Sequence, residues 1–236
     1  MAGTIFQQDS YGVGTIRSKS IAFGSSFSVG SPRFNIETLF QGSYDLKIDV
    51  PHYIGNVSYR LVLPMHGRLA SSKAYYTPGE TYATASTNVT VDGAQAFSGS
   101  VSVDGFHNFN APPVYTATGG WVGRISYIDG VLPGFPNDPG IELASLDSVS
   151  LGQSPSPLGV HIGYELRTSA SIQYAASAYA ISDFSGTGSF EIQAFDDLGN
   201  QLSGVEVVPA AVPEPATFTA LAGGLVLAAR RRRKTT

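Results

Sequence analysis

Apolar and polar residues take turns along most of this chain. Tyr44, Leu46, Ile48 and Val50 alternate with Asp45, Lys47 and Asp49, and Val57, Tyr59, Leu61 and Leu63 alternate with Ser58, Arg60 and Val62. Successive side chains of a strand point to opposite faces, so each series marks one buried face and one wet face. Similar runs cover Ile21–Val29, Thr81–Val91, Phe97–Val103, Trp121–Ile128, Gly159–Arg167, Ser171–Ala180 and Gly188–Phe195, and helical periodicity is nearly absent before residue 210. Asp92-Gly93, Asp104-Gly105, Asp129-Gly130 and Gly199-Asn200 supply residues that tolerate positive φ and close hairpins. About ten short strands with regular turns predict an all-β fold, an antiparallel β-sandwich of the jelly-roll kind. A β-solenoid would need a fixed repeat of about 20 residues, and none is visible. Three stretches read as loops because prolines interrupt them: Asn108–Gly120, Gly130–Gly140 and Gly152–Gly159. Together they are expected to line one end of the sandwich.

The pattern changes completely at the C-terminus. Val212, Pro213, Glu214 and Pro215 lead into a stretch without a charged residue, Ala216 to Ala229, which ends at Arg230, Arg231, Arg232, Arg233 and Lys234. As a helix, about 14 residues at 1.5 Å each cover about 21 Å of a ~30 Å hydrocarbon core. The apolar residues among 205–211 and snorkelling arginine stems extend that reach. A short C-terminal hydrophobic helix is therefore predicted. The basic cluster stays on the cytoplasmic side, which places everything before Val212 outside. Two prolines around Glu214 break any helix or central strand and leave an extended hinge for a processing enzyme to grip. A buried core helix and a plain tail anchor are the competing readings. The first would show a single apolar face, and the second leaves Pro-Glu-Pro without a role.

Motif, apolar helix with Gly223-Gly224, and basic stop, in that order, resemble the PEP-CTERM sorting signal of exported bacterial proteins. The resemblance implies recognition by an exosortase, membrane association through the helix before processing, removal of the tail near Pro213–Pro215, and delivery to the cell surface or an exopolysaccharide matrix. It implies nothing about the working domain. Such proteins begin with a secretory signal peptide, and Met1–Ser10 has neither its basic start nor its apolar stretch. The expectation is an in-frame start upstream, or no export.

Composition sets the remaining bounds. With 236 residues, 42% hydrophobic and 14% charged, residues 1–208 are long enough for a single sandwich domain, with 209–236 as the sorting and anchor segment. The formal net charge is −4, but five of the 14 basic residues form the terminal cluster; the remainder sets nine against 18 acidic groups, a net −9. Nucleic acid is thereby disfavoured as a partner, since it demands basic patches. With no cysteine, disulfide staples, thiol nucleophiles and cysteine zinc sites are excluded.

Candidate chemistry is sparse. His52, His66, His107 and His161 lack the spacing that aims two imidazoles at one metal. No Gly-x-Ser-x-Gly elbow sits in a strand-turn-helix setting, so a serine triad is rejected. Glu165 and Glu191 would serve glycoside hydrolysis if neighbouring strands brought them face to face, although both alternate as solvent-facing residues. Asp196, Asp197 and Asn200 form an oxygen-rich turn and are the one candidate for a metal, calcium, against the favoured reading of a polar hairpin turn. Among the loop aromatics, Tyr115 and Trp121 are the candidates for stacking on sugars, with core packing favoured for Trp121. No catalytic or cofactor residue is assigned. The sequence reads as a non-enzymatic, exported surface or matrix protein, structural or adhesive. A carbohydrate-binding module for exopolysaccharide is the alternative and would show an aromatic platform or concave groove on one sheet. A polysaccharide-cleaving enzyme comes third and would show two convergent carboxylates.

Overall fold

In a computed structural model describing residues 4–7, 19–24, 34–72, 80–104, 114–128, 140–173, 178–185 and 190–210, the alternation resolves into thirteen strands, with no helix among those residues. They are β1 (Thr4–Gln7), β2 (Lys19–Gly24), β3 (Phe34–Asp49), β4 (Asn56–Ser72), β5 (Glu80–Val91), β6 (Ala94–Asp104), β7 (Tyr115–Gly119), β8 (Ile125–Ile128), β9 (Gly140–Pro155), β10 (Leu158–Gln173), β11 (Ala178–Asp183), β12 (Glu191–Phe195) and β13 (Glu206–Pro209). All pairings are antiparallel. One sheet has the order β1-β2-β11-β4-β9-β8, with β12 also on β4, and the other has the order β13-β3-β10-β5-β6-β7. The inward apolar positions of both sheets form a main core that includes Leu46, Tyr59, Leu61, Ile141, Leu143, Ile162 and Leu166, and Ala70 and Ile181 of the first sheet form a second, small cluster.

Side-chain size grades that core. Under β2 and β11 it is built from Ala22, Ala180, Ala83, Ala85 and Ala170, all buried. Buried hydroxyls join the two sheets in the same region. Ser20 Oγ lies 3.0 Å from both Thr38 Oγ1 and Thr168 Oγ1, and Ser182 Oγ donates to the Thr84 carbonyl at 2.7 Å. Small groups allow close approach, and their polar atoms satisfy one another across the gap. Elsewhere the core carries the large rings of Trp121, Phe184 and Tyr59, all fully buried.

Several expected boundaries move. The stretch expected as a loop over Asn108–Gly120 contains β7, an edge strand paired to β6, while residues 105–113 lie outside the described part. Gly152–Gly159 is no loop either. β9 continues to Pro155, where β8 no longer covers its edge and a missing N–H costs no ladder bond, and β10 starts at Leu158. The intervening Ser156 is pinned to the end of β3: its Oγ accepts from Val50 N at 2.7 Å and donates to Asp49 Oδ1 at 2.6 Å. The proline-rich 129–139 and the C-terminal helix fall outside the described residues. Trp121 sits in a turn, and β8 begins four residues after it. Asp92 and Gly93, with φ of 49° and 80°, close the β5–β6 hairpin as expected. No helix of the described residues is long and apolar enough to cross a membrane.

Candidate functional site

The outer face of the second sheet carries a shallow depression of about 420 Å³ across β3, β10 and β5. Two rows of side chains form it. Ser43, Gly163 and Thr90 face one another across the three strands, and two residues on, so do Gln41, Glu165 and Asn88. Strands lie about 4.8 Å apart, so each row presents polar groups over about 10 Å. Gly163 is the floor: a Cβ there would come within 2.5 Å of Thr90 Oγ1. The adjoining rows form rims. On one side His161 Nδ1 meets Asp45 Oδ1 at 2.8 Å; on the other, Arg167 reaches Glu37 at 2.8 Å and Glu165 at 3.4 Å. Beneath the depression Tyr164 turns inward, its hydroxyl 3.4 Å from that of Tyr44. Burial first, then the Tyr44 hydroxyl, pushes the Tyr164 phenol well above the ordinary tyrosine range, so it stays protonated.

Of the residues singled out in the sequence, Glu165 lines this depression, and the others go elsewhere. Trp121 is fully buried, its ring stacked on Phe184 at a centroid distance of 5.8 Å, so it offers no face to a sugar. Tyr115 is half-buried against the core and meets Tyr127 edge-on at 5.7 Å, which joins β7 to β8 across one side of the sandwich. Tyr127, 57% exposed, is the open ring of that pair. Glu165 and Glu191 stand on strands of different sheets, β10 and β12, each on an outward position. They do not form a facing pair; Glu191 Oε1 accepts from Gln193 at 3.2 Å.

The Asp196 carboxylate is engaged by backbone N–H groups and the Asn200 side-chain amide of its own turn. The carboxylate accepts from Leu198 N at 2.9 Å, Asn200 N at 2.8 Å and Asn200 Nδ2 at 2.9 Å, while Asp197 turns away to Gln153 at 3.0 Å. Asp196 and Asn200 form a hydrogen-bonded turn, with Asp197 bonded outside it. Among the described residues no group of three or more His, Asp or Glu side chains gathers at one point. The Asn200 side chain first, then the backbone N–H groups, holds the Asp196 carboxyl below the ordinary aspartate range. A carboxyl lowered in the folded state contributes to the turn above its unfolded pKa and loses that contribution as pH falls through the folded one. NMR titration of the Asp196 carboxyl carbon should give a midpoint below that of an unstructured aspartate, with the Asn200 amide shifting in parallel. A midpoint at or above the unstructured value overturns the assignment.

The groove residues escape a sequence reading because polar residues on separate strands carry no spacing signal. Glu165 is the one groove residue that the sequence singles out, as a candidate carboxylate, and an interior strand glycine such as Gly163 is the further signal available. The tail is legible in the opposite way. β13 pairs with β3 through Pro209↔Leu46, and Ala210 N donates to the Asp45 carbonyl at 2.7 Å, so the sheet holds the chain until just before Val212, Pro213, Glu214 and Pro215. Residues 211–234 match the PEP-CTERM protein-sorting motif. No curated protein matches the chain, nor does any solved structure.

Proposed function

Since it carries a PEP-CTERM protein-sorting motif, this chain is marked for export from the cytoplasm to the cell envelope or surface, and we propose that its β-sandwich serves there as a non-enzymatic structural or adhesive module of the surface or extracellular matrix. The observation that carries this reading is the motif itself, which begins one residue beyond the last hydrogen bond of the sheet. An exosortase-type enzyme is the processing partner in this reading. The apolar segment holds the chain in the membrane until the tail is removed. The nested order β2-β11-β4-β9 over β3-β10-β5-β6 supports a jelly roll, whose paired sheets leave two broad faces for contact. A non-enzymatic role is supported by the separation of Glu165 from Glu191 and by the engagement of Asp196 within its own turn.

Cell fractionation tests the reading. With an epitope inserted in the exposed Asp92-Gly93 turn, the tag on intact cells of the native host should be removed by added protease, and a strain lacking the protein should lose cell–cell or cell–matrix cohesion. A tag found in the cytosolic fraction and protected from protease ends the proposal. So does unchanged cohesion, for the adhesive role.

A further inference from the structure

Several features of the outer sheet face point the same way. The side chains of Gln41, Ser43, Asn88 and Thr90 line the depression and make no hydrogen bond among the described residues. Glu165 is braced by Arg167 from one side only, and its own backbone carbonyl accepts from Thr87 Oγ1 at 2.9 Å, which fixes the strand beneath it. Amides and hydroxyls both donate and accept, and a carboxylate accepts from two donors at once. A ligand that satisfies this set must do likewise, atom after atom, along about 10 Å. Chains of sugar hydroxyls do this.

Other ligand classes fit poorly. A peptide that adds a strand pairs along an open edge, and since β10 is paired on both sides over the depression, by β3 and β5, such a peptide would run beside β3 and not over the lining. A polyanion would meet the Glu165 carboxylate, and the neighbouring Arg167 is already shared between Glu37 and Glu165. An apolar ligand would find amides, hydroxyls and a carboxylate in the lining. The site also stands on rigid ground, since β10 and β5 are each paired on both sides there and β3 is paired to β10 along its length, a setting that preorganises a binding surface.

We propose that the depression over Gly163 is a glycan-binding site, where Gln41, Ser43, Asn88, Thr90 and Glu165 hold the hydroxyl groups of a neutral polysaccharide. This deepens the adhesive reading of the sandwich and rests on it for the setting in which the ligand is met. The binding itself is measured on purified protein, so it fails or succeeds independently of where the cell places the chain.

The full-length chain in mild detergent is applied to an array of α- and β-glucans, galactans, mannans and the polyanion alginate. At least one neutral glycan should be retained. Gln41→Ala with Asn88→Ala removes two such side chains, and loss of hydrogen bonds worth about 1 kcal/mol each weakens binding roughly tenfold or more. The thermal midpoint should not move, because both positions are exposed. Gly163→Val, which fills the floor, should abolish retention, while Tyr127→Ala on the side of the sandwich should leave it intact. The proposal is overturned if no neutral glycan is retained, if alginate alone is retained, or if the double variant binds like the original chain.

Discussion

Replacing Trp121 with alanine lowers the stability of the sandwich by about 3–5 kcal/mol, the range for emptying a buried aromatic site. The residue is fully buried, and two kinds of contact hold its ring in place. Phe184 stacks on it with an interplanar angle of 12°, and Gly99 on β6 lets it lie against the strand backbone. A Cβ at Gly99 would stand 2.8 Å from Trp121 Cγ, inside any van der Waals contact. Gly67 on β4 accepts the Phe184 ring in the same manner. The rings thus form a slab between a glycine of each sheet, and strands β4 and β6 cannot close on the space the indole leaves without breaking their own pairings. For a domain of this size, that loss lowers the thermal midpoint by roughly 6–20 °C. Gly99→Val should destabilise for the opposite reason, overpacking, by about 1–3 kcal/mol. Tyr115→Ala is the control, since its half-buried ring should cost far less. Calorimetry or urea melts of the full-length chain decide the matter. A Trp121→Ala variant that melts within about 2 °C of the original chain would remove Trp121 from the core.

How much of this was readable in advance depended on what each strand faces. β4, β5 and β10 announced themselves because their inward positions are mainly apolar and their outward ones polar, the exceptions being small buried hydroxyl residues, Ser71, Thr81, Thr87 and Thr168. β9 did not, since two of its inward positions are Ser145 and Asp147. The latter is 5% exposed and lies 2.6 Å from the Arg124 guanidinium, with Ser145 donating to it at 2.8 Å. A buried carboxylate paired to an arginine before β8 reads as a wet position in any hydropathy pattern, so the strand was hidden by an interaction between distant residues. Pro64 poses the converse problem, a proline inside a 17-residue strand. Its tolerance follows from the pairing: β12 covers β4 as far as Val62 and β11 resumes at Arg68, so neither strand reaches the edge at Pro64. Apart from Glu165, the polar groove was illegible because its members meet only through strand register, whereas the sorting motif over 211–234 was legible because its signal is contiguous.

Substituting Pro213, Glu214 and Pro215 together by alanine should abolish processing and leave the full-length chain in the membrane fraction. The physical reason lies in how little chain separates the sandwich from the motif. Ala210 is still hydrogen-bonded to Asp45, and three residue steps carry the backbone no more than about 11 Å. A processing enzyme must therefore act almost against the sheet edge, or β13 must peel from β3 first. Alanine at all three positions restores helix propensity where the prolines forbid it, so the helix that the sequence predicts over Ala216–Ala229 would extend toward the sheet and hide the scissile region. β13 is suited to yielding, being four residues long and exposed along its whole length. Lengthening the link between Ala210 and Val212 with a Gly-Ser segment should then preserve or speed processing, because it relieves the approach without touching the motif. Neutralising Arg230, Arg231, Arg232, Arg233 and Lys234 to glutamine should act differently: the cleavage motif survives, but the positive anchor that fixes orientation is gone, and the chain should partition between both sides of the membrane. Immunoblots of fractionated cells separate these outcomes by mass and compartment. A triple-alanine variant that matures like the original chain would show that some other determinant directs sorting, and the exposed edge formed by β13 would be the first place to look for it.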